Sequence, residues 1–408
     1  MPHRSKIFRL KGAVQNYAWG GYDYIATLLG ATNEGRQPMA EYWMGAHTSA
    51  PALLETADKK QIAITDYIKK NPVQALGEEV ARKFGDLPYL YKILDVKDML
   101  SIQVHPKREE ARKGFDAEEQ AGIPLGAAHR NYKDRNHKPE VMIALSEFWL
   151  LHGFKTEPLL QQTLEAVPEF ASLLPVFAEK GYKGLYGYVM EMPQEAADAL
   201  LLPLVQREIA ACAAGQCKKE EPGWWVNKLY NGEAPAGNID KGVFSIYFFN
   251  IVKVKPGEAV FQAAGVPHAY LEGQNVELMA NSDNVLRGGL TPKHVDVPEL
   301  MKHTLFEGIE PRVLRGEVLS FGEIHYPCQT EDFCISKISL TPTGRLQAKS
   351  KSFEIMIVME GSVRIHGANT HEMDFKKGEV IAIAANEVYA LTANGFEAVL
   401  YKAYVPLA

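Results

Sequence analysis

Leu100-Ser101-Ile102-Gln103-Val104-His105-Pro106 sets an amide and an imidazole two residues apart, and that spacing decides how this part of the chain must fold. On a strand, positions two apart project from one face, so Gln103 and His105 reach toward a common point. On a helix they would diverge by about 200°. Pro106 cannot donate to a ladder, so strand pairing is expected to stop directly after the second side chain. Two distant segments share this build: His137-Lys138-Pro139-Glu140 and Gly265-Val266-Pro267-His268 each place a metal-competent side chain beside a proline that fixes its direction. A fold that gathers Gln103, His105, Glu140 and His268 from three such junctions makes a site for one divalent ion. Two imidazoles, a carboxylate and an amide oxygen suit Zn²⁺, with Mn²⁺, Fe²⁺ or Co²⁺ as borderline alternatives. No cysteine lies near these segments, so the ion is expected to keep one coordination position open for water or substrate.

Singly, each of these residues reads as an ordinary strand or loop side chain; their combination points to a site. Around the third segment, Tyr270, Asn275, Glu277, Asn281, Ser282, Asp283, Asn284, Arg287 and Lys293 follow within a short stretch, interleaved with Val276, Leu278 and Met279. A loop this polar is often only solvated. Arg287-Gly288-Gly289, however, puts a guanidinium beside two residues that let backbone approach a ligand closely. With Lys293, Lys138 and Ser101 this makes an anion pocket.

The chain has 408 residues and a net charge of −6, which exceeds the size of one growing core and offers no overall basic field. Two or three sub-domains, no nucleic-acid partner and a local anion site are therefore expected. The N-terminal residues lead into mixed sequence without an apolar leader, and no run of about 18 apolar residues occurs, so a cytoplasmic protein without a membrane partner is expected. Cys212 with Cys217, and Cys328 with Cys334, lack the two-residue spacing of zinc knuckles or redox motifs and read as reduced structural thiols.

Strands are expected at 90–94, 101–104, 141–145 and 148–151, and a solvated helix at 108–113. From 157 to about 219, Leu159, Leu160, Leu164 and Val167, then Leu200, Leu201, Leu204, Val205 and Ile209, recur at helical spacing and mark a helical insertion. The run 245–254 reads as a return to strand, ended by the turn Lys255-Pro256-Gly257-Glu258. Asp296-Val297-Pro298-Glu299 offers an N-cap, an early proline and a carboxylate three residues on. Strands follow within 352–363, 379–384 and 397–405. Lys376-Lys377-Gly378-Glu379 repeats the earlier turn, which hints at two related β units. His366 and His371 lack a Gln-x-His partner, so the second unit reads as structural.

These segments resemble type I mannose-6-phosphate isomerases. The resemblance is carried by residues 100–106, Asn136-His137-Lys138-Pro139-Glu140, residues 265–271 and 279–293, and by Gln15-Asn16-Tyr17-Ala18-Trp19-Gly20 and Trp43-Met44-Gly45-Ala46-His47. Thr48 and Tyr42 depart from the family pattern without touching the proposed ligands. The resemblance implies a mainly β fold with a helical insertion, made of two jelly-roll (cupin) barrels plus an α-helical domain. The catalytic cupin would span 1–155 and 243–310, the helical insertion 156–242 and the C-terminal cupin 311–408. It implies an aldose–ketose isomerase that interconverts mannose 6-phosphate and fructose 6-phosphate through an enediol, with one Zn²⁺ per chain. Gln103, His105, Glu140 and His268 would be the metal ligands and Arg287 the active-site arginine, while Tyr270, Glu277, Lys138 and Lys293 fall on pocket positions. Ser101, Lys293 and Lys97 would hold the phosphate. Lys138 and Glu277 lead as proton carriers, with Lys293 and His47 also chemically able. Two rivals are a non-catalytic metal- or sugar-phosphate-binding cupin and an Fe²⁺ cupin dioxygenase. Retention of Tyr270, Glu277, Arg287 and Lys293 argues against the first, and the amide ligand with a cationic pocket argues against the second.

Overall fold

The computed structural model describes residues 6–407 other than Phe321 and Asn369; the side chain of His371 lies outside the described residues. A ten-stranded antiparallel sheet runs in the order Phe249–Val254, Phe148–Phe154, His268–Ala280, Tyr89–Val96, Glu41–Gly45, Ala13–Gln15, with four short strands attached to this path. The strand His268–Ala280 organises it. Its first residues pair with Phe148–Phe154, and after a register shift between Tyr270 and Glu272 the remainder pairs with Tyr89–Val96 on one side and Glu140–Ala144 on the other. Gly273 sits at this change of partner with φ +125°, a conformation that favours glycine, and an added Cβ would lie 2.6 Å from the Glu147 carbonyl oxygen.

A nine-stranded sheet joins strands between Glu317 and Tyr404 to Ile7–Lys11, Leu53–Glu55 and Gln61–Ala63. Ile7–Leu10 pair with Val380–Ile383, so the start of the chain is a strand of the sheet built mainly from its end. The expected boundary at 1–155 therefore does not follow the hydrogen-bonded sheets. One buried apolar cluster includes Tyr89, Tyr91, Val141 and Leu278 together with Ile335, Phe353, Ile355 and Tyr401. Two buried phenols tie the sheets: Tyr89 donates to the Phe353 carbonyl at 2.9 Å and Tyr91 to the Tyr401 carbonyl at 3.1 Å.

The insertion is helical as expected, with helices Glu157–Ala166, Leu174–Glu191, Gln194–Ala213 and Pro222–Leu229. Leu160, Leu164, Leu201, Leu204 and Val205 supply its buried face, whereas Leu159 is half exposed. The capping signal is also realised, since Asp296 accepts from the Glu299 amide at 3.0 Å at the start of helix Val297–His303. The repeated turn matches in detail. Gly257 and Gly378 both have φ +84°, and in each copy the glutamate amide donates to the lysine carbonyl three residues back at 2.9 Å.

Three expectations are corrected. Residues 245–248 belong to a helix, Gly242–Phe248, and the strand starts only at Phe249. That helix is buried on every side, and an apolar run of this kind carries no periodicity to tell helix from strand. Cys212 and Cys217 form a disulfide with Cα atoms 4.7 Å apart. The helix ends at Ala213 and Gly215, with φ +70°, turns the chain back, so the fifth residue on returns beside Cys212. Cys328 and Cys334 remain free thiols. The helices Ile64–Lys70, Pro72–Leu76 and Glu78–Phe84 precede the first strand expected, and the helix expected at 108–113 extends over Arg108–Gln120.

Candidate metal centre

Strand pairing brings the candidate ligands together. Gln103, on the two-residue strand Gln103–Val104, stands opposite His268 on one side and opposite Arg287 on the other, which puts the three on one face. Glu140 opens its strand opposite Met279 and Gln262. His105, Glu140 and His268 are all buried, and their donor atoms lie within 4.8 Å of one another. His105 Nε2 is 3.4 Å from Glu140 Oε1 and His268 Nε2 is 3.3 Å from Glu140 Oε2.

The surroundings fix which ring nitrogens face the centre. Nδ1 of His105 lies 2.8 Å from the Asn284 carbonyl and Nδ1 of His268 lies 2.9 Å from the Val266 carbonyl. A carbonyl only accepts, so each Nδ1 carries a hydrogen, and in its neutral form each ring directs an Nε2 lone pair inward. Both Nε2 atoms are buried without a hydrogen-bond partner. Two lone pairs facing a carboxylate in a dry site suit a divalent cation, and this donor set fits Zn²⁺. Burial pushes His105 down to about 4, which keeps it in the ligating neutral form. For Glu140, burial alone would raise the pKa, but Lys138 and the two histidines hold it well below the carboxylate range.

Arg287 is half-buried, and burial, with no carboxylate contributing, lowers its pKa from the ordinary arginine value. It is a guanidinium in the ligand row, and among the described residues no ion pair to it is found. Lys138 is buried, with Nζ 3.1 Å from Glu140 Oε1. Glu277 is buried too; burial raises its pKa, Lys92 at 3.2 Å opposes the rise, and Glu140 and Glu41 reinforce it. Tyr270, edge-on to Phe148, is kept a protonated phenol first by burial and then by Glu277. Ser101 lies two residues before Gln103, on the same face if the strand continued. Lys293 is exposed beyond the Gly288-Gly289 turn. Lys97 lies 3.7 Å from Asp98 and over the Tyr22 ring. His47 is buried between Asp283, at 3.1 Å from Nε2, and Ser49, at 2.8 Å from Nδ1.

Sequence reading missed several participants. Lys92 is buried between Glu277 and Glu41, 3.2 Å from each, and lies over the Trp43 ring; burial opposes its charge, but the carboxylates carry its pKa upward. His152 stands opposite His268 and its Nδ1 is 2.7 Å from Gln262 Oε1. The stretch 281–284 is a brace rather than a solvated loop. Asn284 accepts from the Lys133 amide at 2.7 Å and donates to the Asn136 carbonyl at 2.8 Å, while Ser282 donates to Asp134 at 2.9 Å. Glu277 was named from the sequence; Lys92 was not, because strand Tyr89–Val96 is buried throughout and its pattern singles out no position.

The phosphomannose isomerase type I catalytic-domain family model matches residues 7–157. The mannose-6-phosphate isomerase of Salmonella typhimurium is 38% identical over 386 residues, spanning 93% of this chain and 95% of the relative. The human mannose-6-phosphate isomerase is 34% identical over 420 residues, spanning 95% of each. Among solved structures, mannose 6-phosphate isomerase from Salmonella typhimurium bound to fructose 6-phosphate and zinc superposes with a TM-score of 0.86 at 34% identity, covering 99% of this chain and 100% of that one. A zinc-bound holo mannose 6-phosphate isomerase superposes with a TM-score of 0.86 at 35% identity over the same shares.

Proposed function

The chain belongs to the type I phosphomannose isomerase family, and from that premise we propose that it is a zinc-dependent aldose–ketose isomerase interconverting mannose 6-phosphate and fructose 6-phosphate through an enediol. The observation that carries this reading is the buried trio His105, Glu140 and His268, with two inward Nε2 lone pairs and no hydrogen-bond partner for either. These three and Gln103 would hold one Zn²⁺ per chain. The ion, when bound, supplies Lewis-acid polarisation and orientation of the sugar oxygens.

Isomerisation moves a proton between C1 and C2 while negative charge gathers on oxygen. Arg287, opposite Gln103 and with no ion pair among the described residues, stabilises that charge. A Glu277 carboxylate oxygen takes the proton from one carbon and returns it to the other, its raised pKa bringing acid and base forms nearer in energy. Lys138, committed to Glu140, serves as a hydrogen-bond donor in the pocket, and Tyr270 donates to a sugar oxygen. Ser101 and Lys293 hold the phosphate away from the reacting carbons, so that remote binding energy orients the substrate. Lys97, now 3.7 Å from Asp98, is the third candidate for this role. The strands are read as two jelly rolls flanking a helical insertion, and the enzyme as cytoplasmic; among the described residues no helix is long and apolar enough to cross a membrane.

An anaerobic assay with mannose 6-phosphate, combined with metal analysis, tests the function. Turnover without oxygen, lost on chelation and restored by Zn²⁺, is expected. A protein that binds zinc and sugar phosphate without turnover would be the non-catalytic cupin, and oxygen-dependent turnover with iron would be the dioxygenase.

A further inference from the structure

The segment that delivers Glu140 is gripped from outside its own sheet. Asp332, on the loop before strand Cys334–Leu340, is fully buried at 0% exposure and reaches across to residues preceding Glu140. Its carboxylate lies 2.7 Å from His137 Nε2 and accepts from Arg108 Nη2 at 2.7 and 3.0 Å and from the Thr330 hydroxyl at 2.7 Å. Arg108 Nη2 also lies 2.6 Å from His137 Nε2, so carboxylate, guanidinium and imidazole form one cluster. Arg108 extends the grip, its Nε donating to Asn136 Oδ1 at 3.2 Å. From the other side, Asn284 donates to the Asn136 carbonyl. Pro139 has a fixed φ, so displacement at His137 is passed on toward Glu140 rather than absorbed.

We infer that Asp332 is a positioning residue, through which the C-terminal region holds residues 136–140 so that Lys138 and Glu140 meet the metal centre in register. Burying a carboxylate to carry three such contacts is costly unless all are kept, which makes the arrangement single-valued. The surface neighbour on the same loop, Glu331, also pairs with Arg108, at 2.9 Å, and with Lys83, at 2.8 Å, but touches none of residues 136–140. It is the natural control. The proposal rests on the isomerase reading for its catalytic consequence, whereas its consequence for metal binding stands apart from it.

The test uses full-length Asp332→Asn and Glu331→Gln beside the wild type, with zinc affinity measured by chelator competition and turnover measured on mannose 6-phosphate at saturating zinc. D332N is expected to bind zinc about 10–100-fold more weakly and to lose at least about tenfold in kcat with KM changed little; E331Q is expected to match the wild type within about twofold in both. Should D332N fail to fold, Arg108→Gln loosens the same grip and carries the same expectation. A lowered Tm with zinc affinity and kcat unchanged would leave Asp332 only a structural residue and overturn the inference. If the zinc-loaded wild type itself does not isomerise, the functional reading fails, and the zinc affinities alone still decide the positioning role.

Discussion

Removing the Glu140 carboxylate while keeping its shape, as in Glu140→Gln, leaves two imidazoles whose inward nitrogens lose the only anion between them. Zinc content after dialysis is expected to fall to a small fraction of the wild type, with turnover lost in parallel. Arg287→Ala should behave differently, retaining zinc while kcat falls by about 10²–10³, the scale of losing one preorganised charge stabiliser. Glu277 supplies a pH signature. Its pKa is raised in the folded protein, so the acid limb of kcat/KM should lie above 4.5, the ordinary glutamate value, and disappear in Glu277→Gln. A limb below that value would move the base to another group. His105, Glu140 and His268 were legible as candidates because each stands beside a proline, and Gln103 because it lies two residues before His105, but Lys92 and Asp332 were not. Their roles depend on partners such as Glu277 and His137 that are distant in sequence, and no local spacing encodes such meetings.

Strand His268–Ala280 serves the site only because it changes partners midway, and Gly273 permits the change. Gly273→Ala forces a side chain into φ +125° and against the Glu147 carbonyl, so a loss of roughly 1–3 kcal/mol is expected, read as a lower denaturation midpoint. The loop carrying Asp332 has its own acid lability. Burial works against ionisation there, but His137, Thr330 and Arg108 depress the pKa below its ordinary value of 3.8. A depressed carboxylate contributes stability that is fully present above 3.8 and is lost as pH falls through the folded value. Tm should thus fall more steeply below that pH in the wild type than in Asp332→Asn. Elements with a clear period or cap, the 157–213 helices and the Asp296 cap, were readable from sequence. The Gly242–Phe248 helix was not, because burial on all sides erases the pattern that distinguishes the two element types.

At the scale of the whole molecule, residues before 310 share one buried core with residues after it. The phenols of Tyr89 and Tyr91 end on carbonyls of Phe353 and Tyr401, and the apolar cluster around them draws on both sheets. A chain truncated after residue 310 is expected to be protease-sensitive and to lack cooperative unfolding, whereas the full chain is expected to unfold with its nine- and ten-stranded sheets coupled. The repeated Lys-x-Gly-Glu turn was visible in sequence, but the exchange of the first strand into the distant sheet was not, since strand pattern reveals a buried face and never the identity of the neighbour. That exchange has a temporal side. Ile7, Phe8 and Leu10 are synthesised well before the edge they join, Val380–Ile383. At about 5–20 residues per second, the earlier segment waits on the order of tens of seconds as an apolar ribbon with open backbone groups. Until its partner edge emerges, this segment is a target for holding factors, and the sheet closes only when the later strand arrives.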